Sequence, residues 1–217
     1  MKIFVTGTDT GVGKTFVSSL LIRELVAKGE DVMPYKPLCC GDRLDVQNLI
    51  KATGNDSLDA DEVNPVWFKS PTAPFTAALI EAREVDMQSL IDRGRQLAKA
   101  NDHLIVEGAG GWEVPVTSEA TTADLAEALG LPVVVVVDNK LGALNHTILT
   151  IKAIQSRGLT CLGLVLNHVQ EERDAASISN HMVLDEFLDV PVLAELMHDT
   201  TDLDLDPFLD AFASAAG

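Results

Sequence analysis

A short apolar strand, Ile3-Phe4-Val5, runs straight into Thr6-Gly7-Thr8-Asp9-Thr10-Gly11-Val12-Gly13-Lys14-Thr15, and no other stretch narrows the possible folds so far. Glycine lacks a Cβ, so successive backbone N–H groups can curl around a polyphosphate here. Lys14 adds a mobile positive charge, and the Thr15 hydroxyl can reach a phosphate-bound Mg²⁺. The residues that follow open a helix, whose N-terminus favours anions. A phosphate-binding loop between strand and helix predicts an α/β fold that holds a nucleoside triphosphate. One position departs from the usual G-x-x-x-x-G-K-[ST] pattern. Thr8 stands where the first glycine is expected, and Gly7 lies one residue early.

Five apolar, β-branched runs read as buried strands: Lys2–Val5, Asp31–Tyr35, His103–Val106, Pro132–Val137 and Cys161–Leu166. Pro191–Leu193 is a shorter sixth. Between them the apolar spacing turns helical. Val17, Leu20, Leu21 and Leu25 share one face before Gly29, and Leu144, Ile148, Ile151 and Ile154 do so before Gly158. Strands alternating with helices imply a three-layer, P-loop NTPase-like α/β fold, a mainly parallel sheet flanked by helices on both faces. A chain of 217 residues fits one such domain, residues 1–217. Residues 54–76, rich in Pro, Asp, Asn and Thr, read as an irregular excursion, and Asp199–Gly217 as an acidic turn with a short last helix.

Charge limits the partners. The formal net charge of −17 repels nucleic acid and anionic lipid, so neither is an expected partner. Any ATP site must then be a local positive pocket, for which Lys14 and Lys36 are the candidates. The longest apolar run, Val133–Val137, is far too short to span a bilayer, and a strand beginning at residue 2 leaves no place for a secretory leader. Cys39, Cys40 and Cys161 show no metal-ligand spacing, and a reducing cytoplasm is the expected compartment.

In open parallel sheets ligands bind beyond the carboxyl ends of the strands. Here those ends carry the phosphate loop, Lys36, Glu107, Asp138 and Asn167 in turn. Singly each could be a solvated loop residue; together on one edge they mark a site. Mg²⁺ takes hard oxygen ligands, usually one or two carboxylates with phosphates and water. Glu107, before Gly108-Ala109-Gly110-Gly111, is the stronger carboxylate, with Asp138 its competitor by position. Asp42 and Asp45 follow Lys36 in a segment able to fold over the phosphates. Lys36 is placed to stabilise charge during phosphoryl transfer. Cys40 reads as a small residue lining a turn, and His146 and His168 as packing or hydrogen-bonding residues rather than ligands.

The loop at 7–15, Tyr35-Lys36-Pro37, Val106-Glu107-Gly108-Ala109-Gly110-Gly111 and Lys140-Leu141-Gly142-Ala143-Leu144-Asn145-His146 occur in the order and at about the spacing of the dethiobiotin synthetase family. The chain resembles that family from residue 2 to about residue 195. The resemblance implies a homodimeric, cytoplasmic ATP-dependent cyclo-ligase of biotin synthesis that takes 7,8-diaminononanoate, CO₂ and Mg-ATP. One amine captures CO₂ as a carbamate, the carbamate oxygen attacks the γ-phosphate, and the second amine closes the ureido ring. Carried over by motif, Lys14 and Lys36 are catalytic, and Thr15, Asp45 and Glu107 hold Mg²⁺. Gly11, Val12, Gly13, Lys14, Thr15, Phe16, Asp45, Glu107, Gly108, Ala109 and Gly110 contact ATP, with Asn167 at the adenine. Cys40 meets the substrate, and Gly142, Ala143, Leu144 and Asn145 of the other subunit seat its carboxylate.

Two positions depart from the family. Cys40 stands where it usually has serine, and Leu196-Met197-His198 replaces an Ile-Pro turn that borders the adenine. The alternatives are a partitioning or septum-positioning ATPase switch, or a nucleotide-binding paralogue with an altered substrate. The switch proteins carry a second lysine early in the loop, where this chain has Asp9.

Overall fold

The computed structural model describes residues 1–215. In chain order the elements are β1 (Lys2–Gly7), α1 (Lys14–Ala27), β2 (Val32–Tyr35), β3 (Leu38–Cys40), α2 (Leu44–Thr53), α3 (Ala60–Val63), β4 (Val66–Phe68), α4 (Pro74–Ile80) and α5 (Met87–Ala100). There follow β5 (His103–Glu107), α6 (Thr122–Leu129), β6 (Val133–Asp138), α7 (Ala143–Ser156), β7 (Cys161–Asn167), α8 (Ala175–Phe187), β8 (Val192–Leu196) and α9 (Asp206–Ala215). Six strands form one sheet in the order β2-β5-β1-β6-β7-β8, every neighbouring pair parallel.

Alternation along the strands makes the three layers. Ile3, Val5, Ile105, Val134 and Val136 pack with apolar residues of α1, α2 and α9. Phe4, Leu104, Val106, Val133, Val135 and Val137 pack on the opposite face with residues of α5, α6, α7 and α8. Val133 to Val137 are all fully buried, which is why that run shows no polar alternation. Each such valine contributes about 1.5–3 kcal/mol by leaving water.

Most expected strands extend further at their carboxyl ends, so Glu107, Asp138 and Asn167 are last strand residues rather than the first loop residues. Register then lines them up: Val5 lies beside Glu107, Asp138 beside Asn167, and Asn167 beside Leu196. The expected irregular excursion at 54–76 is corrected. It holds α3, β4 and the start of α4, and β4 pairs in parallel with β3 as a separate two-stranded sheet. Three-residue strands are too short to show a period, and their partner is distant in sequence. The last helix, expected up to Gly217, is α9; residues 216 and 217 lie outside the described residues. No helix among the described residues is long and apolar enough to cross a membrane.

Candidate active site

The phosphate loop is bent by positive φ at Gly11 (76°) and Gly13 (94°), the region that side chains disfavour. Gly7 is held by space instead: a Cβ there would sit 2.6 Å from a Val12 methyl. Gly13 caps α1 with no side-chain hydrogen bond, and the first turn holds no acidic residue. It begins with Lys14, a cation at the positive end of the helix dipole. Unpaired N–H groups and a misplaced cation at a helix start are unfavourable alone and become favourable around an anion. Lys14 Nζ donates to the Asp9 carbonyl at 3.1 Å. Burial, then the charge of Lys36, lowers the Lys14 ammonium to about 8.

Four side chains meet beside the loop. Thr15 Oγ1 donates to Glu107 Oε1 at 2.7 Å, and Lys36 Nζ donates to the same oxygen at 2.5 Å. Lys36 Nζ also reaches the Gly108 carbonyl at 3.2 Å and Asp45 Oδ2 at 3.2 Å. Lys36 is 3% exposed and Glu107 fully buried. Burial alone would lower the Lys36 ammonium, but Glu107 and then Asp45 outweigh it and hold it above the ordinary lysine range. Burial likewise opposes ionisation of Asp45, yet Lys36 and the Thr15 hydroxyl hold its carboxyl below the usual range. Glu107 Oε2 is buried with no hydrogen-bond partner among the described residues. A buried carboxylate oxygen left unpaired is costly, and a cation or its bound water would satisfy it. Thr15, Asp45 and Glu107 are therefore a donor set that fits Mg²⁺, which needs few protein ligands when phosphates supply the rest. No group of three His, Cys, Asp or Glu suited to a metal occurs among the described residues.

A cleft of about 370 Å³ opens next to this cluster. Lys36, Asp45, Ala109 and Gly110 line it together with Cys40, at the end of β3. Burial pushes the Cys40 thiol up to about 11, so it is a neutral group at pH 7. Cys39 and Cys40 alternate along β3; Cys39 packs with Val46 and Val63, away from Cys40's neighbours. The other two candidate carboxylates have different partners. Asp42 is spent on the Leu44 N–H at 3.1 Å, and Asp138 pairs with Lys140 at 2.6 Å. Phe16 packs into the α1 layer. Sequence reasoning did not assign Thr10 or Pro71–Pro74 to the site, although they line the cleft, and it missed Asn64, whose Nδ2 donates to the Lys36 carbonyl at 2.7 Å. Thr10 belongs to the phosphate loop itself; no local signal marks Asn64 or Pro71–Pro74, which flank β4 and come in through its pairing with β3.

Two groups lie apart. Gly142 (φ 93°) caps α7, with Ala143, Leu144 and Asn145 in its first turn, outside the cleft lining. Leu141, just before it, is 80% exposed. Asn167 closes on the phosphate loop instead, its Nδ2 2.9 Å from the Val12 carbonyl. His168 is buried, with Nε2 2.8 Å from Glu195 Oε1, whereas His146 is exposed.

The family profile described as an AAA domain matches residues 1–201. An ATP-dependent dethiobiotin synthetase of Akkermansia muciniphila is 43% identical over 209 residues, 96% of this chain and 98% of that protein. One from Anaeromyxobacter dehalogenans is 45% identical over 177 residues, 79% of this chain and 78% of its own. Among solved structures, the septum site-determining protein MinD of Pyrococcus horikoshii, complexed with Mg-ADP, has a TM-score of 0.56 at 20% identity, covering 91% of this chain and 81% of its own. A plasmid partition protein of Borrelia burgdorferi bound to AMPPNP has a TM-score of 0.54 at 14% identity, covering 99% of this chain and 98% of its own. At those identities the structural likeness speaks for the fold alone. The sequence matches go further: the chain belongs to the family of ATP-dependent dethiobiotin synthetases.

Proposed function

We propose that the chain closes the ureido ring of dethiobiotin from 7,8-diaminononanoate and CO₂, driven by ATP, within one domain spanning residues 1–217. The observation that carries the reading is the buried Lys36–Glu107 pair, joined by the half-exposed Asp45, beside a phosphate loop and facing a cleft with room for a small substrate. One amine of the substrate adds to CO₂ and loses a proton, giving a carbamate. A carbamate oxygen then attacks the γ-phosphorus, and the bond to the β-phosphate oxygen breaks to release ADP. The second amine attacks the carbamoyl carbon of the mixed anhydride, expels phosphate and closes the ring.

The chain's own residues supply position and charge. Backbone N–H groups of 11–16 receive the phosphates, and Lys14 follows the transferring group. Lys36, locked as a cation by Glu107 and Asp45, stabilises negative charge on carbamate and phosphoryl oxygens as it develops. Thr15, Asp45 and Glu107 would hold Mg²⁺, which when bound neutralises phosphate charge. Cys40 borders the carbamate end of the substrate, and Asn167 the base. The start of α7 lies apart from the cleft, which suits a homodimer in which Gly142–Asn145 of one subunit seat the substrate carboxylate of the other. A cytoplasmic location suits such an enzyme.

A partitioning ATPase shares the fold but is not better supported, because Asp9 occupies the position of the second loop lysine. The deciding experiment measures ADP release. Release is expected only when the diamine and bicarbonate are both present. Rapid turnover without them, stimulated by DNA or lipid, would sink the ligase reading.

A further inference from the structure

Asn167 does something that base recognition does not require. Its Nδ2 donates to the Val12 carbonyl at 2.9 Å, and the residue is 4% exposed. We propose that Asn167 is a positioning residue for the phosphate loop, setting the direction in which the loop's backbone donates. The Val12 C=O and the Gly13 N–H share one trans peptide plane and point in opposite directions. Holding the carbonyl against the end of β7 turns the Gly13 N–H away from Asn167. That N–H makes no backbone hydrogen bond of its own among the described residues, so it is free to donate to an anion. Without Asn167 the peptide plane can rotate, and a buried carbonyl is left unpaired.

The residues around this bond fit the assignment. A Cβ on Gly13 would lie 2.1 Å from Asn167 Nδ2, so glycine at 13 is needed for the asparagine to reach the loop as well as for its φ of 94°. On the other side, Val12 is 2% exposed, and its side chain fills the space that a Cβ on Gly7 would take. The Val12 peptide is thus held by packing through its side chain and by one hydrogen bond through its carbonyl. That bond joins residues 155 apart in the chain.

The inference rests on the loop being a triphosphate site, and the test separates the two. Binding of Mg-ATP and of magnesium tripolyphosphate, which has no base, is measured by calorimetry on the full chain and on Asn167→Ala. A loop-positioning role weakens both ligands by a similar factor, about five- to fiftyfold, the range for losing a hydrogen bond and stranding its buried partner. If ATP weakens and tripolyphosphate does not, Asn167 reads only the base and the proposal is overturned; it is equally overturned if neither weakens. Should the wild-type chain bind neither ligand, the triphosphate site itself is wrong. Asn167→Asp, which keeps the shape but cannot donate to the carbonyl, replaces the alanine variant if the latter fails to fold, and a thermal melt without ligand checks both.

Discussion

The cleft has two walls built on different principles. One hangs from β1 and β5, in the interior of the sheet: the phosphate loop and Glu107–Gly110. Its residues are flanked by largely buried strands, and at Gly7, Gly13 and Gly110 the packing leaves no room for a Cβ. The other wall hangs from β2 at the sheet's edge and runs through β3, α2 and Pro71–Pro74. Its support is the two-stranded β3–β4 sheet, a small cluster of Cys39, Val46 and Val63, and the margins of the two main cores, where Leu38 and Phe68 join one and Leu49 the other. The first wall is pre-formed by the main core. The second has a core of only three buried residues of its own, and Asn64 and Asp45 tie it to Lys36. Lys36 is the joint between them, bonded to Glu107 on one wall and Asp45 on the other. Backbone donors of the phosphate loop and the buried Glu107 carboxylate lie on the first wall; the lighter one gives the cleft its shape through Leu38, Cys40 and Pro71–Pro74.

Breaking the joint should have the largest effect. Lys36→Ala is expected to lower kcat by about a thousandfold while the affinity for ATP changes only a few-fold, since charge stabilisation is greatest in the transition state. Equal loss of ATP binding would move Lys36 from catalysis to ground-state binding.

A smaller, pH-dependent effect belongs to the rigid wall. The Lys14 ammonium sits at about 8 in the folded chain, below its ordinary value of 10.5. Below about 8 it is charged and ready for phosphate; above, it must take up a proton as ATP binds. ATP affinity should therefore fall above pH 8, by up to about tenfold per pH unit, with proton uptake visible as a buffer-dependent binding enthalpy. The sign for stability is opposite. The unfolded chain keeps this proton up to about 10.5, so Lys14 disfavours the fold at low pH, and that cost is relieved as pH rises from about 8 towards 10.5. A binding curve flat through pH 9 would remove Lys14 from the phosphate site.

The smallest effect is expected on the lighter wall. Cys40→Ser should leave kcat/KM within about twofold or raise it, because a hydroxyl is the better hydrogen-bond donor and the neutral thiol is a poor nucleophile. Complete loss of activity would reveal a role that only sulfur can fill.

The same division explains what could be read in the chain. The rigid wall was legible because its parts are contiguous: a β-branched strand, a glycine-rich loop and a helix start follow each other within Lys2–Ala27. The carboxyl ends of β5, β6 and β7 were legible from the change from apolar to polar residues. The lighter wall was not. Its strands span three residues each, its helices α2 and α3 are short, and no periodicity joins Leu38–Cys40 to Val66–Phe68. Asp42 and Asp45 were indistinguishable by sequence distance, and only the placement of α2 gave Asp45 to Lys36 and left Asp42 capping a turn.

The amino-acid order alone determined the layered parallel sheet, the triphosphate loop and the set of polar strand ends, because hydrophobic period and glycine placement are local properties of the chain. Tertiary structure decided which of those polar residues act together. Thr15, Lys36 and Glu107 come from three separate segments and share one carboxylate oxygen only because β2, β5 and β1 lie side by side in the sheet. Strand order is a non-local choice, set by which faces bury against which helices, and no stretch of the chain states it by itself.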